Sequence, residues 1–325
     1  MQIVEGCKGY PLAITVAGGS LRGQNQRIPV TALIDTWTEL YEQLDEDTLC
    51  VAYLQRLTNR SLANLVVTRK DLTQGDGYYS EHFVTQHDLL RELAIYETRQ
   101  EAPGDRERLI INIFGNNLPK WWMEDTYKSM KARLLSISTD GNFSSKWHHM
   151  ELPEAEVLVL NFKTKNYGLP KFVDTMHKLE VLVVTNDGFS PAELSNTALL
   201  GSKSHLERIR LERVSISSIT KNPVQFVCLK KISLFMCTIG KAFSDSSIQF
   251  SCAFPNLEEI SIDYCNDLVE MPADLCDLIH LRKLSVTNSH KLLALPEEIG
   301  KLENLELLRL RSCTDLEQLP GSSRN

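Results

Sequence analysis

Residues 257–320 read LEEISIDYCNDLVEMPADLCDLIH (257–280), LRKLSVTNSHKLLALPEEIGKLEN (281–304) and LELLRLRSCTDLEQLP (305–320), one pattern written three times. Leu257, Ile260 and Ile262 lead to Cys265, Leu268, Met271 and Pro272. Leu281, Leu284 and Val286 lead to Ser289, Leu292, Leu295 and Pro296, and Leu305, Leu308 and Leu310 to Cys313, Leu316, Leu319 and Pro320. The apolar-x-apolar step sends two side chains to one face of a short strand and the residues between them to the other. The Cys or Ser stands where the chain turns, and the apolar-Pro step opens the return limb. One copy cannot bury its apolar side alone, so the copies must stack.

This is a leucine-rich repeat of the LxxLxLxxCxxLxxLP kind. Its first apolar position recurs at Ala155, Leu179, Leu206, Leu229, Leu257, Leu281 and Leu305, at steps of 24, 27, 23, 28, 24 and 24 residues. The spacing predicts about seven repeats over 151–325, a curved solenoid that lacks a polar closing repeat and is therefore expected to be C-terminally incomplete.

Upstream the period changes. Pro29 heads a helix with Leu33, Ile34, Trp37 and Leu40 at helical spacing, and a second helix from about Glu46 to Leu62 carries Leu49, Ala52, Tyr53, Leu57 and Leu62 on one face. Asn64–Thr68 and Tyr78–Val84 are β-rich and flank Gly75, Asp76 and Gly77, a hairpin signal. Helices followed by a hairpin are the order of a winged helix, assigned to 25–100. Residues 101–150, with strand candidates at Leu109–Phe114 and Ala132–Ser138, form the connecting segment and N-terminal cap of the solenoid. Trp121 and Trp122 read there as core or capping residues. The fold class expected is α/β, a helical and winged-helix portion followed by a repeat solenoid.

Composition sets limits on function. The 325 residues are 42% hydrophobic and 24% charged, with a net charge of -7, which argues against broad nucleic-acid or anionic-membrane binding. No apolar run is long enough to span a bilayer. The eight cysteines include no CxxC pair, so no metal site is expected and reduced structural thiols are. The apolar run from Pro11 to Ala17 is short, Pro-led and preceded by acidic Glu5, a poor secretory signal. Sequons at Asn59 and Asn142 would matter only in a secreted repeat receptor, a further reading. No nucleophile, base and orienting group occur at a recognisable spacing, so no catalytic residues and no enzyme are expected.

Short motifs add a resemblance. Gly9, Tyr10, Pro11, Leu12 and Ala13 match a GLPL motif, and Gln86, His87 and Asp88 match an MHD motif in its QHD form, followed by Leu89, Leu90, Arg91, Glu92 and Leu93. With Pro29–Leu40, Leu134–Thr139 and Asp263–Leu268, these make nearly the whole chain resemble the C-terminal part of plant NB-ARC leucine-rich-repeat disease-resistance proteins. The QHD form points to their helper class, the N-requirement-gene and activated-disease-resistance groups.

The resemblance implies that 1–24 is a remnant of the NB-ARC helical subdomain, and that Pro11 and His87 contact ADP. Gly9 and Leu12 would support the first contact, and Asp88 would cap the following helix. ADP or ATP would be the cofactor of the full-length family, which the resemblance makes cytoplasmic, with membrane association and self-association in the full-length form. Lipase-like immune signalling proteins are the implied partners. The sequence departs from that pattern in lacking GxxxxGK[ST], so the backbone cradle and lysine that hold phosphates are missing and ATP hydrolysis is not expected. Gln24 also runs directly into Asn25 where the family has further helices, which reads as a deletion.

The outward strand positions supply the last candidates. They include Arg208 and Arg210, Lys231, Lys283, and Arg309 and Arg311, a basic set against an acidic total. These six residues are the expected partner-binding surface, complementary to an acidic patch on another protein. The reading is a plant defence protein controlled by intramolecular, nucleotide-dependent contacts; the alternative is a stand-alone leucine-rich-repeat scaffold that binds protein without switching.

Overall fold

The computed structural model describes residues 28–40, 47–67, 82–85, 96, 100–124, 129–216, 225–244, 249–317 and 319–320. The N-terminal described part is two helices on a small antiparallel sheet. Strand β1 (Ile28–Pro29) leads into helix α1 (Val30–Leu40), then come helix α2 (Asp47–Asn59), β2 (Asn64–Val67) and β3 (His82–Thr85). β3 lies between the other two strands, with Leu65 opposite Val84 and Ile28 also opposite Val84. The turn expected at Gly75–Gly77 lies outside the described residues.

The core of this unit comes from α1, α2 and the strands: Val30, Leu33, Ile34, Trp37, Cys50, Leu54, Leu57 and Val84 are all buried in it. Trp37 meets Tyr53 edge to face, with ring centroids 5.9 Å apart. The expected face of α2 is turned by about one position. Cys50 and Leu54 are buried while Leu49 is 43% exposed, and the Cys50 thiol lies 3.7 Å from the Thr38 hydroxyl of α1.

A ladder of nine parallel strands follows: β4 (Arg108–Ile113), β5 (Leu134–Thr139), β6 (Val157–Phe162), β7 (Val181–Asn186), β8 (Arg208–Glu212), β9 (Lys231–Phe235), β10 (Glu259–Asp263), β11 (Lys283–Thr287) and β12 (Leu307–Arg311). Each pairs in register with the next, so that Ile209, Ile232, Ile260, Leu284 and Leu308 align across five strands. The ladder therefore begins two strands before the expected seven repeats. Ala132, Leu135 and Ile137 carry the repeat spacing in 101–150, and all three are buried.

Each of the last five strands is followed at once by a residue of positive φ: Arg213, Met236, Tyr264, Asn288 and Ser312. This left-handed step turns the chain off the strand. The next position then holds Cys237, Cys265, Ser289 or Cys313 in the later repeats. Their side chains satisfy carbonyls in the packed turn: the Cys237 thiol donates to the Leu211 carbonyl at 3.3 Å and Cys313 to Val286 at 3.5 Å. Burial pushes the Cys237 thiol up to about 12, so it stays protonated and able to donate. Cys50, Cys237, Cys265 and Cys276 are all buried thiols outside any disulfide, in keeping with structural thiols.

At the N-terminal end, Trp122, Trp147, Phe172 and Tyr167 form an aromatic plug. The indole N–H groups of Trp122 and Trp147 donate to the carbonyls of His149 and Gly168, each at 2.9 Å. Both tryptophans are thereby packing residues of the first repeats. Among the described residues, no helix is long and apolar enough to cross a membrane.

Candidate functional site

The concave face of the ladder is where the structure brings polar groups together. Outward positions of β6 and β7 hold Val157, Val159, Val181 and Val183, which with Leu134 of β5 and Leu40 of α1 form a separate apolar cluster. Valines at solvent-facing strand positions are unfavourable unless something covers them. Helix α1 covers them, with Leu40 at its C-terminal end placed among the strand beginnings.

Alongside this apolar strip, α1 presents Thr31, Asp35 and Glu39, one helical turn apart and hence on one face. They meet Arg210, Arg208 and Lys231. The Arg208 Nε donates to Glu39 Oε1 at 2.6 Å, and its Nη1 lies 3.5 Å from Asp35. Lys231 Nζ sits 2.9 Å from Asp35 and 3.4 Å from Glu259, and Arg210 Nη1 donates to the Thr31 hydroxyl at 2.8 Å. Four residues of helix rise about 6 Å, and two residues of strand advance about 6.7 Å. The near match lets Thr31 and Asp35 reach Arg210 and Arg208 from a helix lying along the strand.

Asp35 is 2% exposed, Arg210 5% and Lys231 6%. Burial by itself pushes the Asp35 carboxyl up, but Lys231, Arg208 and Arg210 outweigh it and hold the group below its ordinary value. Removing one partner from so buried a set strands a charge away from water.

This corrects the expectation for three of the six basic residues. Arg208, Arg210 and Lys231 face the chain's own helix, because the apolar strip beside them draws α1 onto the sheet. Lys283, Arg309 and Arg311 lie on β11 and β12, farther along the same face; Lys283 is exposed and 3.8 Å from Glu259. Gly9, Pro11, Leu12, His87 and Asp88 lie outside the described residues. The facing residues, the hydroxyl of Thr31 and the carboxylates of Asp35 and Glu39, were not singled out from the sequence; their only signal is the four-residue spacing along one helix.

Among the described residues no group of three metal-ligating side chains occurs. A small cavity of about 70 Å³ lies behind β8 and β9, lined by apolar side chains that include Leu211, Leu234, Phe226 and Phe250. It offers no polar atom for chemistry.

No family model matches the chain. Several disease-resistance proteins of Arabidopsis thaliana do. One probable disease resistance protein is 44% identical over 80% of this chain, and another is 38% identical over 85% of it. Disease resistance protein ADR1 is 34% identical over 93%. The chain belongs to the plant disease-resistance proteins. The match to ADR1 agrees with the activated-disease-resistance resemblance carried by Gln86, His87 and Asp88. The chain spans 32%, 66% and 45% of the lengths of these three disease-resistance proteins. A solved leucine-rich repeat domain, that of the type III effector XCV3220 (XopL), covers 92% of the chain at 21% identity and a TM-score of 0.49.

Proposed function

We propose that this disease-resistance chain is the regulatory and repeat part of a nucleotide-switched plant immune receptor of the helper class, and that it works by intramolecular control. The observation that carries the reading is the buried Asp35, held by Arg208 and Lys231. It ties a helix of the N-terminal unit to the ladder, so the position of one reports on the other. In this reading the N-terminal unit is a winged helix, supported by two helices packed on a three-stranded antiparallel sheet. Pro11 and His87 would be the nucleotide contacts, with Gly9, Leu12 and Asp88 holding their backbone.

The function is regulatory and non-enzymatic. Nucleotide affects which side of the helix–ladder contact is populated, and the ladder offers Lys283, Arg309 and Arg311 to an acidic protein surface. Lipase-like immune signalling proteins in the cytoplasm are the partners that the family resemblance suggests.

Calorimetry of the purified chain with ADP, beside a His87→Ala variant, tests the nucleotide half. Binding in the range of about a millimolar or tighter, weakened at least about tenfold by the substitution, is expected; tenfold corresponds to about 1.4 kcal/mol. Equal or undetectable heats for both chains would favour the scaffold without switching.

A further inference from the structure

The residues just before the ladder strands form a continuous row, since each amide donates to the carbonyl of its predecessor: Glu156 to Arg133, Glu180 to Glu156, Glu207 to Glu180, Lys230 to Glu207. The row goes on through Glu258, Arg282 and Glu306. Over most of its length acid and base alternate, as neighbours about 4.8 Å apart require. At Glu156, Glu180 and Glu207 the alternation fails and three acids stand side by side.

The two outer acids are neutralised from beyond the triplet. Arg133 Nη2 lies 2.6 Å from Glu156, and Lys230 Nζ lies 2.8 Å from Glu207. Glu180 is left between them. Beside it stands the C-terminal end of α1, where Leu40 shares an apolar cluster with Val181 and Glu39 is engaged with Arg208. Docking α1 therefore brings a fourth carboxylate to a half-buried acid already flanked by two.

We propose that Glu180 makes the helix–ladder contact sensitive to protons: α1 docks firmly when this carboxyl is neutral and loosens when it is ionised. The inference rests on α1 docking as a control contact. Burial first, and then Glu39, Glu156 and Glu207, push Glu180 up to about 7, with Arg133 opposing. Among the described residues, Arg208, Arg210, Lys230, Lys231 and Asp35 are the other charged groups at the helix–ladder contact. Undocking removes Glu39 and readmits water, so the docked form binds the proton more tightly. Docking is then strongest in mild acid and weakens as pH rises through about 7. As undocking lets the carboxyl fall back toward its ordinary value, the docking constant falls by up to about tenfold between about pH 6 and pH 8.

Hydroxyl-radical footprinting of the full chain reads this directly. Leu40 and Val183 are covered in the contact, at 8% and 5% exposure, and fully exposed Phe189 serves as reference. Their relative oxidation is expected to rise from about pH 6 to pH 8, by up to about tenfold. In Glu180→Gln it should stay at the low-pH level throughout, and Glu180→Lys, which restores alternation, should keep it low at both pH values. A flat wild-type profile, or the same rise in Glu180→Gln, overturns the proposal. Asp35→Lys separates the two ideas. If it raises oxidation at both pH values while Glu180→Gln behaves as wild type, only the proton switch is lost; if it raises nothing, docking itself is refuted.

Discussion

Asp35 of α1 and Lys231 of β9 meet at 2.9 Å with both side chains buried, 2% and 8% exposed. The pair joins the N-terminal unit to the sixth strand of the ladder. Its value lies in specificity. Two charges taken from water gain little net energy by pairing, whereas one left without the other costs about 3–5 kcal/mol.

That asymmetry gives the first expectation. Asp35→Ala should destabilise the chain by about 3–5 kcal/mol, and Lys231→Met by less when added to it than alone, since the second change removes the stranded charge. Urea unfolding of the four chains in the cycle measures the coupling. Strict additivity would show that the two residues do not act together.

Acid should release the contact only late. Asp35 is held below its ordinary value, so the docked state is fully favoured above the carboxyl's unfolded pKa and is lost as pH falls through the lower folded value. Footprinting of Val183 is expected to show the Asp35 contribution intact at about pH 5 and failing only below about pH 4. Loss near neutrality in Glu180→Gln would contradict this.

The ladder's own stability rests on its inward row. Leu284 is fully buried and aligned with Ile260 and Leu308. Leu284→Ala is expected to cost about 2–5 kcal/mol in thermal or urea unfolding. A change under about 1 kcal/mol would mean that the repeats pack loosely there.

Gly240 tests a turn. Its amide donates to Asp267 Oδ2 at 2.6 Å while the Ile239 amide donates to Oδ1 at 3.1 Å, and an added Cβ would fall on the Asp267 carbonyl oxygen. Gly240→Ala should therefore lower stability by about 1–3 kcal/mol despite alanine's better helix propensity. A neutral or stabilising result would show that the Asp267 backbone can yield.

The ladder was legible because its signal repeats: an apolar pair two residues apart, then Cys or Ser, then a Pro. The two earliest repeats were harder to see, since Ala132 is weakly apolar and the tryptophan segment interrupts the period. The face of α2 was misread because Cys50 packs inward as a small apolar group while Leu49 stays partly in water. The basic residues of the concave face were visible, but their partner was not. No local pattern links Asp35 to Lys231, and the outward valines at 157, 159, 181 and 183, the one signal that the face is covered, were not read as such. Pro11 and His87 were named from a resemblance and lie outside the described residues.

The central claim is that α1 docks on the concave face through its acids. A charge exchange tests it most directly, with footprinting of Leu40 and Val183 in wild type, Asp35→Lys, Lys231→Glu and the double variant. Each single reversal should expose both residues, raising their oxidation at least about fivefold, which is about 1 kcal/mol of lost docking. The double variant should recover most of that protection. Exposure in the double variant equal to the sum of the singles, or full protection in Asp35→Lys, would contradict the account.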